Sequence, residues 1–370
     1  MLVGVPREIK NQEARVGLTP AAVREYVERG HDVCVETGAG AGIGADDEAY
    51  LAAGAKIAAT AGDVFAHADM IVKVKEPQAE EWGQLREGQI LFTYLHLAPD
   101  PDQTEGLLNS GVTSIAYEMV AEGHGLPLLA PMSEVAGRLS IEAAALASRS
   151  YNGGSGLLLG GVPGVAAARV LVLGGGVVGT HAARMAVGLG ADVSILDRSL
   201  PRLRQLDEMF GGRVRTLFST SEALESELRL ADVVIGSVLI PGASAPKLVN
   251  REMLSWMKQR SVVVDVAIDQ GGCFETAKAT THAEPTYEVD GVIHYCVANM
   301  PGSVPRTSSY ALNNATLPYG LALADGGIAA IRENSALRAG LSTHRGKLTS
   351  RPVAASLGLN FTDPHEALAP

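Results

Sequence analysis

Arg169-Val-Leu-Val-Leu-Gly-Gly-Gly-Val-Val-Gly179 is the stretch that decides the fold. Its first five residues predict a β-strand, and Gly174, Gly176 and Gly179 have the spacing G-x-G-x-x-G. The first glycine allows a tight turn, the second lets the backbone approach a pyrophosphate, and the third lets helix and strand pack closely. The Ala-rich segment 181–189 predicts a helix whose N-terminal N–H groups can bind phosphate. The stretch therefore predicts a dinucleotide-binding strand–turn–helix unit.

Asp197 supplies the second half of this motif. It closes the apolar run 192–196, which predicts another strand, and it follows Gly176 by 21 residues (197 − 176). An acid at this distance accepts a hydrogen bond from a ribose 2′-OH and repels a 2′-phosphate, so the motif favours NAD over NADP. Glycine loops also serve as plain turns, but the two strands, the helix and the acid together favour dinucleotide binding.

The composition is that of a two-domain globular protein. Its 370 residues exceed one ordinary core, 46% are hydrophobic, and the 42 glycines suit α/β units. The net charge of −11 disfavours nucleic acid and membrane surfaces as partners. Three widely spaced cysteines predict reduced thiols rather than a disulfide framework. Because the chain has neither an apolar signal core nor a run of the roughly 20 apolar residues that cross a bilayer, we expect a cytoplasmic protein.

The first third of the chain alternates apolar runs with helical segments, which predicts a parallel sheet of βαβ units. The principal runs are at 2–5, 70–74, 90–94 and 114–117. Ligands of such sheets bind at the carboxyl ends of the strands. Lys75 and His96 fall at two of these ends, and Arg15 lies in the loop after the first run. These three side chains are the candidate substrate-binding residues.

Arg15, Lys75 and His96 suit a small carboxylate substrate. A guanidinium bonds a carboxylate in two places, and a lysine adds a point charge. A histidine exchanges a proton near neutral pH. The alternatives are a surface ion pair for Arg15, a solvated strand end for Lys75 and a hydrogen-bonded turn for His96. Their shared edge of the predicted sheet favours the functional interpretation.

Further apolar runs complete a doubly wound parallel sheet around the glycine motif, at 233–239, 261–266 and 292–297. From residue 307 the pattern turns helical, and we expect the chain to return to the first domain. The predicted fold is α/β, with two Rossmann-like domains. An NAD-binding domain spans 127–305, and a discontinuous βαβ substrate domain spans 1–126 and 306–370.

Asp269 follows one of these runs, in Ala267-Ile-Asp-Gln-Gly-Gly272. It could bind the nicotinamide ribose, act as a general base, or cap the turn that leads into the glycines. The glycine loop 38–44 lacks the G-x-G-x-x-G spacing and predicts a plain turn. The remaining histidines are dispersed without metal-ligand spacing, so we expect no metal site.

The sequence resembles the alanine dehydrogenase/transhydrogenase alpha-subunit family along nearly its whole length. The matching segments are Pro6–Val16, Val74–Pro77, Tyr94–Ala98, Ala130–Arg138, the glycine stretch, Ile268–Gly272 and Tyr295–Gly302. The segments around His96 and Asp269 resemble the dehydrogenase branch. That branch converts L-alanine, NAD and water to pyruvate, ammonia and NADH, reversibly, and is usually homohexameric.

The resemblance implies a role for each candidate residue. Arg15 and Lys75 would bind pyruvate, and His96 and Asp269 would be the catalytic pair. The implied cofactor site comprises Ser133, Gly174, Gly176, Val177, Val178, Gly179, Asp197, Arg202, Ser219, Val238, Leu239, Val266, Ala267, Ile268, Asp269, Val297, Ala298, Asn299 and Met300. An acid and a histidine that bind metal in some members are replaced here by Ala322 and Gly326.

One departure from the family is the segment Ile141–Gly154, which is unusually rich in alanine and serine. We expect it to affect packing rather than catalysis. Two rival functions remain open from the sequence. One is a transhydrogenase alpha-like subunit that passes hydride between nicotinamide cofactors, and the other is a dinucleotide-sensing regulator without turnover. A regulator has no evident need for Arg15, Lys75 and His96 at strand ends.

Overall fold

A computed structural model describes residues 1–123, 125–238 and 245–369 of the chain. By their internal contacts the residues form two compact units. Unit 1 consists of Met1–Met132 and Gly302–Pro370, and unit 2 consists of Ser133–Pro301.

The strands, numbered along the chain, are β1 (Leu2–Val5), β2 (Asp32–Glu36), β3 (Lys56–Ala58), β4 (Met70–Val72), β5 (Ile90–Thr93), β6 (Thr113–Ala116), β7 (Arg169–Leu173), β8 (Asp192–Asp197), β9 (Val214–Phe218), β10 (Val233–Gly236), β11 (Val262–Asp265), β12 (Thr286–Val289), β13 (Val292–Tyr295), β14 (Leu341–His344) and β15 (Lys347–Leu348).

The helices are α1 (Pro20–Glu28), α2 (Asp47–Ala52), α3 (Ala61–His67), α4 (Ala79–Trp82), α5 (Pro101–Ser110), α6 (Ala130–Ala147), α7 (Val177–Gly188), α8 (Leu200–Phe210), α9 (Ser221–Leu230), α10 (Arg251–Leu254), α11 (Pro305–Gly326), α12 (Ile328–Glu333), α13 (Ser335–Gly340), α14 (Arg351–Leu357) and α15 (Pro364–Ala367). Short 3₁₀ turns follow several strands, among them Tyr117–Met119, Ile268–Gln270 and Met300–Ser303.

Unit 1 is built on an eight-stranded sheet with the order β15-β14-β6-β5-β4-β1-β2-β3. Strands β1 to β6 pair in parallel, while β14 runs antiparallel to β6 and to β15. The C-terminal part of the chain thus adds two strands to the sheet that the N-terminal part begins. Strands β5, β4 and β1 are consecutive neighbours, so the segments that follow them start at one edge of the sheet.

Unit 2 is built on a seven-stranded sheet with the order β12-β13-β11-β10-β7-β8-β9. All pairs are parallel except β12 with β13. Strand β7 is the point where the order reverses, because β8 and β9 lie on one side of it and β10, β11 and β13 on the other. Ligands of doubly wound sheets bind outside the carboxyl ends of the strands at such a point. The two mostly parallel sheets confirm the predicted α/β fold.

Side-chain alternation along β7 explains why both faces of the unit 2 sheet are covered. Val170 and Val172 belong to one buried apolar cluster, whereas Leu171 and Leu173 belong to another. Successive side chains of a strand point to opposite faces, so a continuous apolar run predicts a strand buried on both sides. Among the residues described, no helix is both long and apolar enough to cross a membrane.

Several boundaries differ from the sequence predictions. Helix α7 begins at Val177 rather than at residue 181, because the end of the glycine motif itself forms the first helical turn. The predicted strand 233–239 ends at Gly236, where a Cβ would lie 2.8 Å from the ring of Phe274. Strands β3, β9, β12 and β15 were not predicted, since they are short or only partly buried. Strand β14 is buried but was not predicted either, because it pairs with β6 from more than two hundred residues away.

Candidate active site

The glycine motif forms the turn between β7 and α7 in unit 2. Gly174 has a φ of +98°, which side chains disfavour, and Gly176 is the N-cap of α7. A Cβ at Gly179 would lie 1.9 Å from the carbonyl oxygen of Gly174, so only glycine lets the helix pack this close to the turn. A Cβ at Gly176 would meet no described atom within 4 Å. A bare helix N-terminus facing open space fits a pyrophosphate.

Asp197 and Arg202 tie this glycine turn to β8 and α8. The carboxylate of Asp197 accepts hydrogen bonds from the backbone N–H groups of Gly175 (2.7 Å) and Ser199 (2.8 Å). Arg202 donates from Nε to the Gly175 carbonyl (2.6 Å) and from its terminal nitrogen to Thr180 Oγ1 (2.7 Å). The acid is therefore held beside the turn, where the G-x-G-x-x-G pattern requires it for ribose recognition.

Ser219 and Ser133 lie close to the same turn. The backbone N–H of Ser219 donates to the carbonyl of Asp197 (3.0 Å), so Ser219 follows β9 directly beside the acid. Ser133 is on α6, one helical turn before Gly137. A Cβ at Gly137 would lie 2.3 Å from the carbonyl oxygen of Val178, so α6 passes in backbone contact with the first turn of α7.

The other cofactor candidates follow the carboxyl ends of β10, β11 and β13, which share one edge of the sheet. Val238 follows β10, and its Cγ2 would be 2.7 Å from a Cβ at Gly174. The segments 266–269 and 297–300 follow β11 and β13, with Asn299 at a φ of +57°. Leu239 lies outside the described residues. The sheet thus brings most of the predicted cofactor residues to the edge that carries the glycine turn.

Asp265, which the sequence did not single out, shapes the loop that carries Asp269. Its buried carboxylate accepts from the backbone N–H groups of Cys273 (2.7 Å), Phe274 (3.2 Å) and Ala267 (3.2 Å). Burial raises the pKa of Asp265 to about 6, although these hydrogen bonds favour the charged form. The loop after β11 is therefore anchored at both of its ends by one carboxylate.

Arg15 lies in the loop after β1 in unit 1, and its guanidinium is buried. Nε and one terminal nitrogen donate to the two oxygens of Glu13, at 2.7 and 2.5 Å, and the other terminal nitrogen donates to Met132 Sδ at 3.1 Å. Burial opposes the charge, but the hydrogen bonds and charge of Glu13 outweigh it and raise the pKa of Arg15. Helix α11 fixes the loop, because Asn313 bonds both Thr19 N–H and Gly17 C=O.

Lys75 lies three residues past the end of β4, in a segment held by buried charges. Glu8 Oε1 accepts from the backbone N–H of Val74 at 2.6 Å. The same glutamate pairs with the fully buried Lys73, which also contacts Glu81 at 2.9 Å. This buried network fixes the backbone from which the Lys75 side chain projects.

His96 follows β5 in a left-handed conformation with a φ of +49°. The backbone N–H groups of Leu95 and His96 donate to the carboxylate of Glu118, which follows β6. A non-glycine residue in this region costs free energy, so the carboxylate stabilises a strained position. Glu76 lies between the side chains of Lys75 and His96, 4.0 Å from Nζ of the lysine and 3.7 Å from Nδ1 of the histidine.

The structure thus places Arg15, Lys75 and His96 after three neighbouring strands. The sequence predictions missed the glutamates around them: Glu8, Glu13, Glu76 and Glu118. Glu13 and Glu76 stand next to or near the candidates in the chain, but adjacency alone does not show that a side chain points to its neighbour. Glu8 and Glu118 meet their partners only through the fold of the sheet.

Three of the other histidines have structural surroundings. His181 contacts Arg138 at 3.2 Å, His294 stacks on Tyr287, and His31 pairs with Asp325 at 2.8 Å. Within residues 1–123, 125–238 and 245–369, no group of three His, Cys, Asp or Glu side chains could hold a metal ion.

One α/β unit has a glycine turn with an acid held beside it, and the other has Arg15, Lys75 and His96 after neighbouring strands. These are the features of a pyridine-nucleotide-dependent oxidoreductase. The chain belongs to the alanine dehydrogenase/PNT family. The family's N-terminal domain model matches residues 4–136 and its C-terminal domain model matches residues 140–351.

Three relatives show the same relationship. The chain is 59% identical to an alanine dehydrogenase of Halomonas elongata over 365 residues, which cover 98% of each chain. A solved L-alanine dehydrogenase superposes with a TM-score of 0.93 at 50% identity, covering 97% of this chain and 99% of that one. A transhydrogenase structure from Sinorhizobium meliloti matches at a TM-score of 0.82 and 28% identity, covering 95% and 99%.

Proposed function

We propose that this protein is an NAD-dependent alanine dehydrogenase. It catalyses the reversible reaction of L-alanine, NAD⁺ and water to pyruvate, ammonium, NADH and a proton. The observation that carries this proposal is the set of side chains after β1, β4 and β5, because Arg15, Lys75 and His96 provide a carboxylate clamp and a proton carrier in a chain that also has the NAD motif. The 59% identity to an alanine dehydrogenase over nearly the full chain supports it.

Bound NAD⁺ supplies the hydride acceptor, and the residues of this chain do the rest. Arg15 binds the substrate carboxylate through its guanidinium, whose orientation Glu13 fixes. Lys75 donates to the oxygen that becomes the pyruvate carbonyl. Once the ammonium group of alanine has lost a proton, loss of hydride from Cα to the bound NAD⁺ leaves an iminium, which is electrophilic enough for water to attack. His96 transfers the protons of this step, and Asp269 assists the attack of water and the departure of ammonia.

The proposed domains separate the substrate-binding residues from the cofactor-binding residues. We propose that the substrate domain spans 1–126 and 306–370 and that the NAD-binding domain spans 127–305. The cofactor would be held by the glycine turn, Asp197 and the segments after β10, β11 and β13. We also propose a cytoplasmic location and a homohexameric assembly. A subunit interface would cover the exposed apolar side chains of the segment 146–165, which are Leu146, Tyr151, Leu158, Val162 and Val165. Native mass spectrometry tests the assembly.

The decisive experiment is a spectrophotometric assay of NADH formation with a panel of amino acids and both NAD and NADP. The proposal predicts activity with L-alanine and NAD, and pyruvate- and ammonium-dependent oxidation of NADH in reverse. The transhydrogenase alternative predicts no reaction with alanine but reduction of a nicotinamide analogue by NADH. We include this alternative in the test because the chain is 28% identical to a transhydrogenase. A regulator would bind NADH and show neither reaction.

A further inference from the structure

Glu76 has a carboxylate whose two oxygens face different partners. Oε1 forms an ion pair with Lys10. Oε2 faces Lys75 Nζ at 4.0 Å and His96 Nδ1 at 3.7 Å. The side chain is 11% exposed, so these interactions take place with little competition from water. Glu76 therefore places a carboxylate between Lys75 and His96, the two strand-end residues to which the proposed function gives roles.

The atoms that face each other are both unsatisfied. Glu76 Oε2 and His96 Nδ1 are buried and have no hydrogen-bond partner among the described residues. The His96 side chain as a whole is 37% exposed, so its exposure comes from the rest of the ring. Buried polar atoms are nearly always paired in native proteins. At 3.7 Å the two atoms are a few tenths of an ångström beyond hydrogen-bond distance, and catalytic hydrogen bonds are often long in ligand-free enzymes.

The backbones on both sides are fixed, so only a small side-chain rotation separates the two atoms. The carbonyl of Glu76 accepts from Gln78 Nε2 at 2.9 Å, and the carbonyl of Lys75 accepts from Thr93 Oγ1 at 3.0 Å. Glu118 holds the backbone N–H of His96 at 2.7 Å. The contact between Glu76 and His96 is thus built into two adjacent strand ends.

We propose that Glu76 is a positioning residue, whose Oε2 accepts a hydrogen bond from Nδ1–H of His96 and thereby leaves Nε2 to exchange the proton with the substrate. This inference rests on the role given to His96 in the proposed function. A carboxylate that fixes the tautomer and orientation of a catalytic imidazole performs the same task in serine hydrolases. There the wrong tautomer costs several orders of magnitude in kcat.

The charges around the pair favour this role. Burial disfavours the charge of Glu76, but His96, Lys75 and Lys10 outweigh it and hold the pKa of Glu76 well below its ordinary value. The group is therefore a pure acceptor. Among the described residues, His96 also faces the ring of Tyr94, with centroids 5.7 Å apart, and the carboxylate of Glu118, which bonds the backbone. Neither is placed to accept from Nδ1.

The rival interpretation is that Glu76 only balances the charges of Lys10 and Lys75. Steady-state kinetics separate the two. In the Glu76→Gln variant, loss of the tautomer should lower kcat for alanine about 10²- to 10³-fold while KM for alanine and Kd for NADH change less than about threefold. If Glu76 only balances charge, the same substitution should raise KM for alanine, because Lys75 loses its compensating carboxylate. It should leave kcat within about threefold of the wild-type value. Glu76→Asp should recover part of kcat. Glu80→Gln removes an exposed carboxylate four residues away and should match the wild type.

Magic-angle-spinning NMR of ¹⁵N-histidine-labelled enzyme tests the tautomer directly and does not depend on turnover. The His96 signals are identified by their absence in His96→Gln. We expect the neutral Nδ1–H form in the wild type and a shift toward Nε2–H in Glu76→Gln. A wild-type His96 in the Nε2–H form, or kcat unchanged in a folded Glu76→Gln enzyme, would overturn the proposal. If instead the wild type failed to oxidise alanine, the proposed function would fall while the tautomer could still be read.

Discussion

Replacing Gly176 and Gly179 separately with alanine should distinguish cofactor contact from packing within the glycine turn. A Cβ at Gly179 would lie 1.9 Å from the Gly174 carbonyl oxygen and 2.8 Å from Ser237 Oγ, so α7 must move away. Overpacking of this kind costs about 1–3 kcal/mol. For a unit of this size that corresponds to a fall in Tm of roughly 2–12 °C, because each kcal/mol shifts Tm by about 2–4 °C. NADH binding should weaken as well.

Gly176→Ala should behave differently, since its Cβ meets no described atom within 4 Å and its φ of −65° suits alanine. The small loss at the N-cap and the reduced entropy of the unfolded chain nearly cancel, so Tm should change by no more than about 2 °C. The new methyl group would occupy the space of the pyrophosphate. If that costs about 1–3 kcal/mol, as overpacking does, Kd for NADH rises roughly 5- to 140-fold.

The assays are thermal unfolding without ligand and fluorescence titration with NADH. Gly188→Ala, in the exposed last turn of α7, is the matched control and should keep both its affinity and its Tm or gain slightly in stability. Wild-type affinity in Gly176→Ala would refute the placement of the pyrophosphate. An unchanged Tm in Gly179→Ala would refute the packing argument.

Three further predictions concern single side chains. Burial raises the pKa of Asp265 from 3.8 to about 6, so the stability that this group contributes is complete below pH 4 and is lost as the pH rises through 6, about 3 kcal/mol in all. The free energies of urea unfolding of wild type and Asp265→Asn should therefore diverge between pH 4 and 6. A constant difference between them over this range would contradict the prediction. Asp197→Ala loses a charged acceptor for the ribose, so its Kd for NADH should rise roughly 10- to 100-fold and its preference over NADPH should shrink; an unmoved preference would mean that another group selects the cofactor. Arg15→Lys loses the two-point contact with the carboxylate, so KM for pyruvate should rise roughly 10- to 100-fold at constant Kd for NADH, and an equal KM would remove Arg15 from the substrate site.

The sequence was most informative where local geometry and chemistry coincide. The turn at Gly174 to Gly179 requires glycine for steric reasons, and the G-x-G-x-x-G spacing follows directly from them. Strand β7 is apolar at every inner position because both faces of the sheet are buried there. The fold was therefore predictable from this stretch and from the alternation of apolar runs with helical segments along the rest of the chain. Strands such as β14 and β15 were not, because they join the sheet of unit 1 from more than two hundred residues away.

The sequence could indicate the side chains that we propose contact the substrate, but not the acids that hold them in place. Arg15, Lys75 and His96 could be proposed because they follow predicted strands, and the family resemblance assigned their roles. The acids that hold them could not be predicted, because a glutamate that accepts from a distant backbone N–H has no sequence pattern. Glu118, for example, contacts His96 only since β5 and β6 are neighbours.

The measurement that tests the central claim most directly compares wild type and His96→Ala for NADH formation from L-alanine and NAD, with NADH binding measured on the same samples. The account predicts alanine-dependent turnover by the wild type, a fall in kcat of about 10²- to 10⁴-fold in the variant, and a Kd for NADH that stays within about twofold. Turnover that survives in His96→Ala, or a wild type inactive with alanine, would contradict it.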